Sequence, residues 1–362
     1  MLGIPREYLN VRRPGSIVHW YRSMYATKGK RLHELAHVFP VVAQVEPTVC
    51  CDLSCTFCHS KDIRRSRPKQ HMSYEEFRHI LDQLNFLVVL GIVGMGEPTR
   101  NSDFFRMVRL AVQKGIATHT VTNCNLHTQE IAEQLICTGL RRVAVSIDGA
   151  TAETHERGRL GASFTRILTN LERLVRLRKS GRIPRIAVQM LALEYNYREI
   201  PAMTHLCLKM GVDELTIQGR PTDWGKNSYV DQTVKRAGTT AGEDYEKAIN
   251  EAKTIARGSR LIFEDHRSYY NIDDPCRKPW RDIYVATTGE VVPCCTIADP
   301  KVMCMGNLFE QSFNDIWNGP KYIAFRKSIR GGHIPRCCFQ CYSPDLLLKR
   351  NLRQDACNGS QL

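Results

Sequence analysis

Short apolar runs alternate along the chain with segments that place apolar residues at three- and four-residue intervals. Runs at 41–45, 87–93, 118–122, 142–147, 185–191 and 214–218 predict strands. Helical periodicity between them falls at 73–84, 103–114, 128–138, 162–178 and 197–210. Such alternation predicts parallel strands joined by crossover helices. Six units of this kind fit a partial (β/α)6 barrel, in which working residues sit at the C-terminal ends of the strands. Ser73 followed by Glu76 reads as a capping box that opens the first of these helices.

Outside the alternation the pattern changes twice. Residues 1–40 are basic and aromatic, with Trp20 and Tyr21 ahead of a predicted helix near 32–38. After a helix predicted at 241–257, the text from Cys276 becomes rich in cysteine and glycine. There, 284–286 and 290–292 around Thr288-Gly289 predict a hairpin, and 316–329 predicts a helix. The organisation expected is an N-terminal extension at 1–40, a barrel at 41–240, and a linker helix with a small α+β domain at 241–362.

Composition narrows the class. The 362 residues are 43% hydrophobic and 24% charged, as expected of a globular protein. No apolar run is long enough to span a membrane, and the N-terminus lacks a signal-peptide core. The fifteen cysteines gather mainly around 50–58 and 276–341, which points to metal binding in a reducing, cytoplasmic setting. The net charge of +14 admits anionic partners. Its one basic cluster, Arg64-Arg65 with Arg67 and Lys69, reads as a solvated loop, so nucleic acid is not expected.

The first cysteine group is Cys51-Asp-Leu-Ser-Cys55-Thr-Phe57-Cys58, directly after the first strand. Thiolates are soft ligands that suit iron–sulfur clusters, and three of them on a cube leave one iron open for a small molecule. A structural zinc site is the alternative, although zinc sites usually pair cysteines as C-x2-C.

This triplet resembles the signature of the radical S-adenosylmethionine (SAM) superfamily. Downstream stretches extend the likeness. Val93-Gly94-Met95-Gly96-Glu97-Pro98 resembles the glycine-rich stretch that receives the methionine amino group, which implies Gly96 and Glu97. Thr122-Asn123-Cys124-Asn125 stands where the family often has Thr-Asn-Gly, which brings in Asn123 and makes Cys124 a departure. Ser146-Ile147-Asp148-Gly149 with Arg157 resembles the stretch that meets the SAM ribose and carboxylate. The fifth strand, at Val188, would pass the adenine, with Phe57 packing from the cluster loop. Gln218, Arg220, Asp223 and Trp224 follow the sixth strand at the rim and are substrate candidates.

The C-terminal region resembles the SPASM extension or its shortened form, Twitch. Cys276, Cys294, Cys338 and Cys341 fit the short form and its single auxiliary [4Fe–4S] cluster. The adjacent Cys295 and Cys337 leave each choice open by one residue, and Cys124, Cys304 and Cys357 have no assigned role.

The resemblance implies a cluster on Cys51, Cys55 and Cys58 that binds SAM. It also implies reductive cleavage to a 5′-deoxyadenosyl radical, and hydrogen abstraction from an unactivated C–H bond. A flavodoxin- or ferredoxin-type protein would supply the electron. The expected substrate is small and polar or anionic, a sugar, aminocyclitol or nucleoside in natural-product biosynthesis. Dehydrogenase, epimerase, decarboxylase and dehydratase outcomes are all open. Two alternatives stand beside this reading: a peptide-modifying (RiPP) maturase and a non-catalytic iron–sulfur, RNA-binding protein.

Overall fold

The computed structural model describes residues 14–28, 32–60, 63–64, 67–178, 183–219, 224–226, 242–266, 270 and 274–342. Helix α1 (Pro14–Ala26) comes first. The barrel then runs β1 (Val42–Val45), α2 (Tyr74–Gln83), β2 (Val89–Ile92), α3 (Phe104–Gln113), β3 (Ala117–Thr122) and α4 (Gln129–Cys137). It continues with β4 (Arg142–Ser146), α5 (Ala152–Gly158), α6 (Phe164–Arg178), β5 (Arg185–Leu191), α7 (Ile200–Met210) and β6 (Glu214–Gln218). Helix α8 (Gly242–Ala256) and strand β7 (Ile262–His266) follow.

The six predicted strands are present, each within two residues of its expected bounds. Neighbouring strands from β1 to β7 pair in parallel, so their C-terminal ends gather at one mouth. The crossover helices bury the face that their periodicity defines, as with Phe77, Ile80 and Leu81 in α2. The Ser73–Glu76 capping box closes in both directions.

Three expectations change. Helix α8 does not act as a linker: it packs on α7, and β7 extends the barrel sheet beside β6. The parallel sheet therefore continues past residue 240, to His266. No helix forms at 32–38, and Trp20 and Tyr21 lie inside α1. The backbone groups of 33–38 are spent on distant side chains instead. His33 O accepts from Trp280 Nε1, Val38 O from Trp317 Nε1, and Ala36 N donates to Asn318 Oδ1. Third, the helix predicted at 316–329 is two helices, because Gly319-Pro320 interrupts it.

The C-terminal module holds α9 (Lys278–Arg281), β8 (Asp282–Val285), β9 (Glu290–Val292), β10 (Gly306–Asn307), α10 (Phe313–Trp317) and α11 (Pro320–Arg330). The predicted hairpin is β8–β9, with Tyr284 opposite Val292. Strand β8 also pairs in parallel with β1, from Val42–Asp282 to Val45–Val285. Among the described residues the two modules thus share one ten-stranded sheet.

Candidate active site at the mouth of the barrel

The loop after β1 carries Cys51, Cys55 and Cys58. Backbone bonds from Ser54 N to Leu160 O (2.9 Å) and from Thr56 N to Gly158 O (2.8 Å) pin it to the end of α5. Leu53, Phe57, Leu191 and Leu193 wall it with apolar surface, and Tyr195 packs against that wall. Leu53 N donates to Cys51 Sγ at 3.4 Å, and Ser60 Oγ lies 2.8 Å from Cys58 Sγ. Burial pushes the Cys55 thiol up to about 12, partly offset by the Arg159 guanidinium. Burial also raises Cys51. Thiolates here therefore call for a cation beside them. Three thiols in a dry loop with nearby donors fit a thiolate-bound cluster. Among the described residues no three His, Cys, Asp or Glu side chains group closely enough to hold a single metal ion.

The glycine-rich stretch lies against this loop. A Cβ on Gly96 would fall 2.4 Å from Cys50 O and 2.7 Å from Thr48 O. The missing side chain at Gly96 makes room for the chain's own backbone at Thr48 and Cys50. Gly96 N and Glu97 N donate to Thr48 O and Cys50 O. The Glu97 carboxylate is buried and committed internally, to Thr99, to Thr122 Oγ1 at 2.8 Å and to Asn123 N at 2.7 Å. Its side chain thus positions Asn123 at the end of β3. Asn123 Nδ2 in turn donates to Asp52 Oδ1 at 2.8 Å and reaches Cys51 Sγ at 3.8 Å.

Ser146 is half-buried at the end of β4. Arg157 is exposed, with its guanidinium 5.0 Å from the Tyr195 ring centroid. The arginine that reaches the cluster loop is Arg159, which lies over Phe57 and pairs with buried Asp148. Val188 is buried in mid-strand, paired with Val145 and Leu215, so its backbone serves the sheet. The wall beside Phe57 comes from Leu191 and Leu193, at and just past the end of β5. Cys124 is fully buried, with φ of 58° and Sγ 3.3 Å from His127 Nδ1.

Gln218 ends β6, and its carbonyl accepts from Ala192 N at 2.8 Å. Trp224 packs against the buried group of Met95, Tyr284 and Ala298, between glycine stretch and C-terminal module. Arg220 and Asp223 lie outside the described residues.

Sequence reasoning missed Glu46, at the end of β1. Its buried carboxylate accepts from Arg67 Nη1 (2.6 Å), Tyr284 Oη (2.6 Å), Thr287 Oγ1 (2.7 Å) and Met95 N (3.2 Å). Arg67, expected in a solvated loop, is buried here and also donates to Ala298 O. Only the apolar run before Glu46 hinted at burial.

In the C-terminal module, Cys276 and Cys294 lie within electrostatic reach of each other and of both Cys338 and Cys341. Burial raises Cys294 and pushes Cys276 up to about 11, with Lys278 opposing both. Cys295 instead accepts from Lys278 Nζ at 3.5 Å. Cys337 is buried in the core, its Cβ against Gly225. This donor set fits a second cluster on four thiolates, with Cys295 and Cys337 beside it.

A parallel barrel with a thiol triplet at its mouth and a second thiol set beyond it defines a two-site iron–sulfur enzyme. The radical SAM superfamily model matches residues 45–207, and the SPASM iron–sulfur cluster-binding domain model matches residues 276–342. The chain belongs to the radical SAM superfamily and carries a C-terminal SPASM domain. These domains imply a [4Fe–4S] cluster with SAM and an auxiliary iron–sulfur cluster. An AdoMet-dependent heme synthase of Methanosarcina barkeri is 28% identical over 304 residues, 78% of this chain and 82% of the relative. A PqqA peptide cyclase of Xanthomonas euvesicatoria is 24% identical over 311 residues, 83% of this chain and 80% of the relative. Among solved structures, SuiB of Streptococcus suis bound to its precursor peptide SuiA aligns with a TM-score of 0.67 and 16% identity. That alignment covers 88% of this chain and 73% of SuiB, and the likeness is one of fold. Among the described residues no helix is long and apolar enough to cross a membrane.

Proposed function

We propose that the protein is a radical SAM maturase that removes a hydrogen atom from a C–H bond of a peptide substrate. The observation carrying this reading is the match to a peptide cyclase through both modules, barrel and SPASM domain together. The small polar substrate expected from the sequence gives way to it. Cys51, Cys55 and Cys58 would hold the first cluster. Cys276, Cys294, Cys338 and Cys341 would hold the second, whose four protein ligands suit electron transfer better than substrate binding. When bound, the first cluster and SAM supply a one-electron cleavage that yields a radical able to take hydrogen from carbon.

The chain's own residues orient and seal the site. Asn123 steadies the loop through Asp52 and sends an N–H toward Cys51. Phe57, Leu191 and Leu193 keep water from it, which a radical step requires. Arg159 anchors α5 over the loop, and Ser146 stands at the mouth for SAM. Gln218 and Trp224 border the substrate space. The net charge of +14 favours an acidic flavodoxin- or ferredoxin-type donor.

A second reading follows from the heme synthase, matched at 28% identity over both modules: a tetrapyrrole substrate. One experiment separates them. Reconstituted enzyme with SAM and dithionite is given synthetic peptides from reading frames beside its gene, or a tetrapyrrole, and 5′-deoxyadenosine is counted. A peptide that raises the count above blank and leaves with an altered mass or a D-residue supports the maturase. Stimulation by the tetrapyrrole alone replaces it with the second reading. Stimulation by sugars or nucleosides alone restores the small-molecule one.

A further inference from the structure

Tyr195 lies four residues past the end of β5, at the mouth. Its ring is half-buried against Leu53, Cys55, Phe57, Leu191 and Leu193. Its hydroxyl is buried and, among the described residues, has no hydrogen-bond partner. Such groups are uncommon because the lost water bond is not replaced. A phenol keeps its proton at neutral pH, so this hydroxyl is a donor with no acceptor among them.

The room for this hydroxyl is made by Gly158. A Cβ there would fall 2.0 Å from Tyr195 Oη and 3.2 Å from Phe57 Cε1. Gly158 is not among the left-handed glycines, so what its missing side chain provides is space. The same residue's carbonyl pins the cluster loop at Thr56. The Arg157 guanidinium over the ring helps to fix it in this place. Cys51 and Cys58 sulfurs already have polar contacts, from Leu53 N and Ser60 Oγ, and the hydroxyl bonds to no Cys55 sulfur. Among the described residues no acceptor meets this hydroxyl, and an acceptor carried in by a ligand would satisfy it.

We propose that Tyr195 donates a hydrogen bond to SAM bound at the Cys51, Cys55 and Cys58 loop, and that Gly158 is glycine to admit it. The inference rests on the assignment of that loop to the SAM-binding cluster. SAM presents acceptors in its carboxylate, ribose and adenine, and the added bond would hold it against the Phe57 wall.

The test uses Tyr195→Phe in the full, anaerobically reconstituted chain. Iron content, melting temperature, the electron paramagnetic resonance spectrum of the reduced clusters, and SAM affinity by equilibrium dialysis are compared with wild type. The phenylalanine keeps the ring and removes one unpartnered hydroxyl. Iron and melting temperature should hold, while SAM binds roughly three- to tenfold more weakly, the value of one neutral hydrogen bond. Gly158→Ala, which crowds the hydroxyl, should weaken SAM in the same direction. Unchanged SAM affinity in Tyr195→Phe overturns the proposal. Loss of iron, or an altered spectrum before SAM is added, overturns it too, because the hydroxyl would then serve the cluster. Full iron with no SAM binding in wild type overturns the loop assignment beneath it, a result distinct from the others.

Discussion

Arg159 Nε donates to Asp148 Oδ2 at 2.6 Å, and the same guanidinium lies 5.5 Å from the Phe57 ring centroid. Asp148 is fully buried and also accepts from Leu191 N at 2.8 Å. One ion pair thus joins the ends of β4, β5 and α5 to the cluster loop.

Arg159→Ala should therefore cost about 3–5 kcal/mol, because it leaves the Asp148 carboxylate buried without its cation. It should also lower SAM affinity. Arg157→Ala removes an exposed guanidinium over Tyr195 and should cost about 0.5–1 kcal/mol. Denaturant unfolding and SAM dialysis of both variants check this. A larger SAM defect in Arg157→Ala would return that residue to the site.

The Glu46 network predicts strong coupling. A Cβ on Gly94 would fall 2.3 Å from Glu46 Cγ, so Gly94→Ala must displace the carboxylate that Arg67, Tyr284 and Thr287 share. Glu46→Ala alone should cost about 3–5 kcal/mol, since it strands the buried Arg67 cation. The double variant should cost clearly less than the two single losses combined. Additive losses in unfolding measurements would show that Glu46 does not act through this contact.

Iron counting tests the two thiol sets. Reconstituted protein should hold about eight irons, four per cube cluster. Replacing Cys51, Cys55 and Cys58 together by Ala should leave about four, as should replacing Cys276, Cys294, Cys338 and Cys341. Cys295→Ala and Cys337→Ala should each keep the full complement, because Cys295 faces Lys278 and Cys337 packs in the core. Loss of iron from either single variant would shift the ligand set by one residue.

The parts legible in the sequence were those that local pattern controls. Short apolar runs and period-3.6 segments placed six strands and their helices, and the grouping of cysteines marked both thiol-rich regions. What escaped depends on partners far along the chain. The 33–38 segment gives its backbone to Trp280, Trp317 and Asn318, which no local window contains. Strand β7 is an edge strand, half to fully exposed and carrying Glu264, Asp265 and His266, so it lacks an apolar signature. Arg67 looked like one charge among several until Glu46, twenty-one residues earlier, was seen to hold it. Arg157 and Arg159 sit two residues apart, and the sequence does not say that Arg159 is the one that pairs with buried Asp148.

Two buried histidines set opposite limbs of the stability–pH profile. His155 accepts from Asp148 N through Nδ1 at 3.1 Å and so stays neutral when folded. Burial, with Arg159 adding, lowers its pKa to about 4. The unfolded chain takes that proton first as pH falls below about 6.5, so stability drops between about 6.5 and about 4. The drop is on the order of 3 kcal/mol at the acid end. His119, lowered to about 4 chiefly by burial, adds in the same window. For His127 burial lowers the pKa, but Cys124 and Glu97 more than reverse it, to about 10. Its contribution is complete below about 6.5 and fades as pH rises toward about 10. Unfolding measured across pH should therefore peak near neutrality. His155→Gln should shrink the acid limb alone, and His127→Gln should flatten the rise of instability between about 6.5 and about 8, before exposed thiols titrate. An acid limb unchanged in His155→Gln would mean that its imidazole is charged in the folded protein, and that the Asp148 N–H is held by another group.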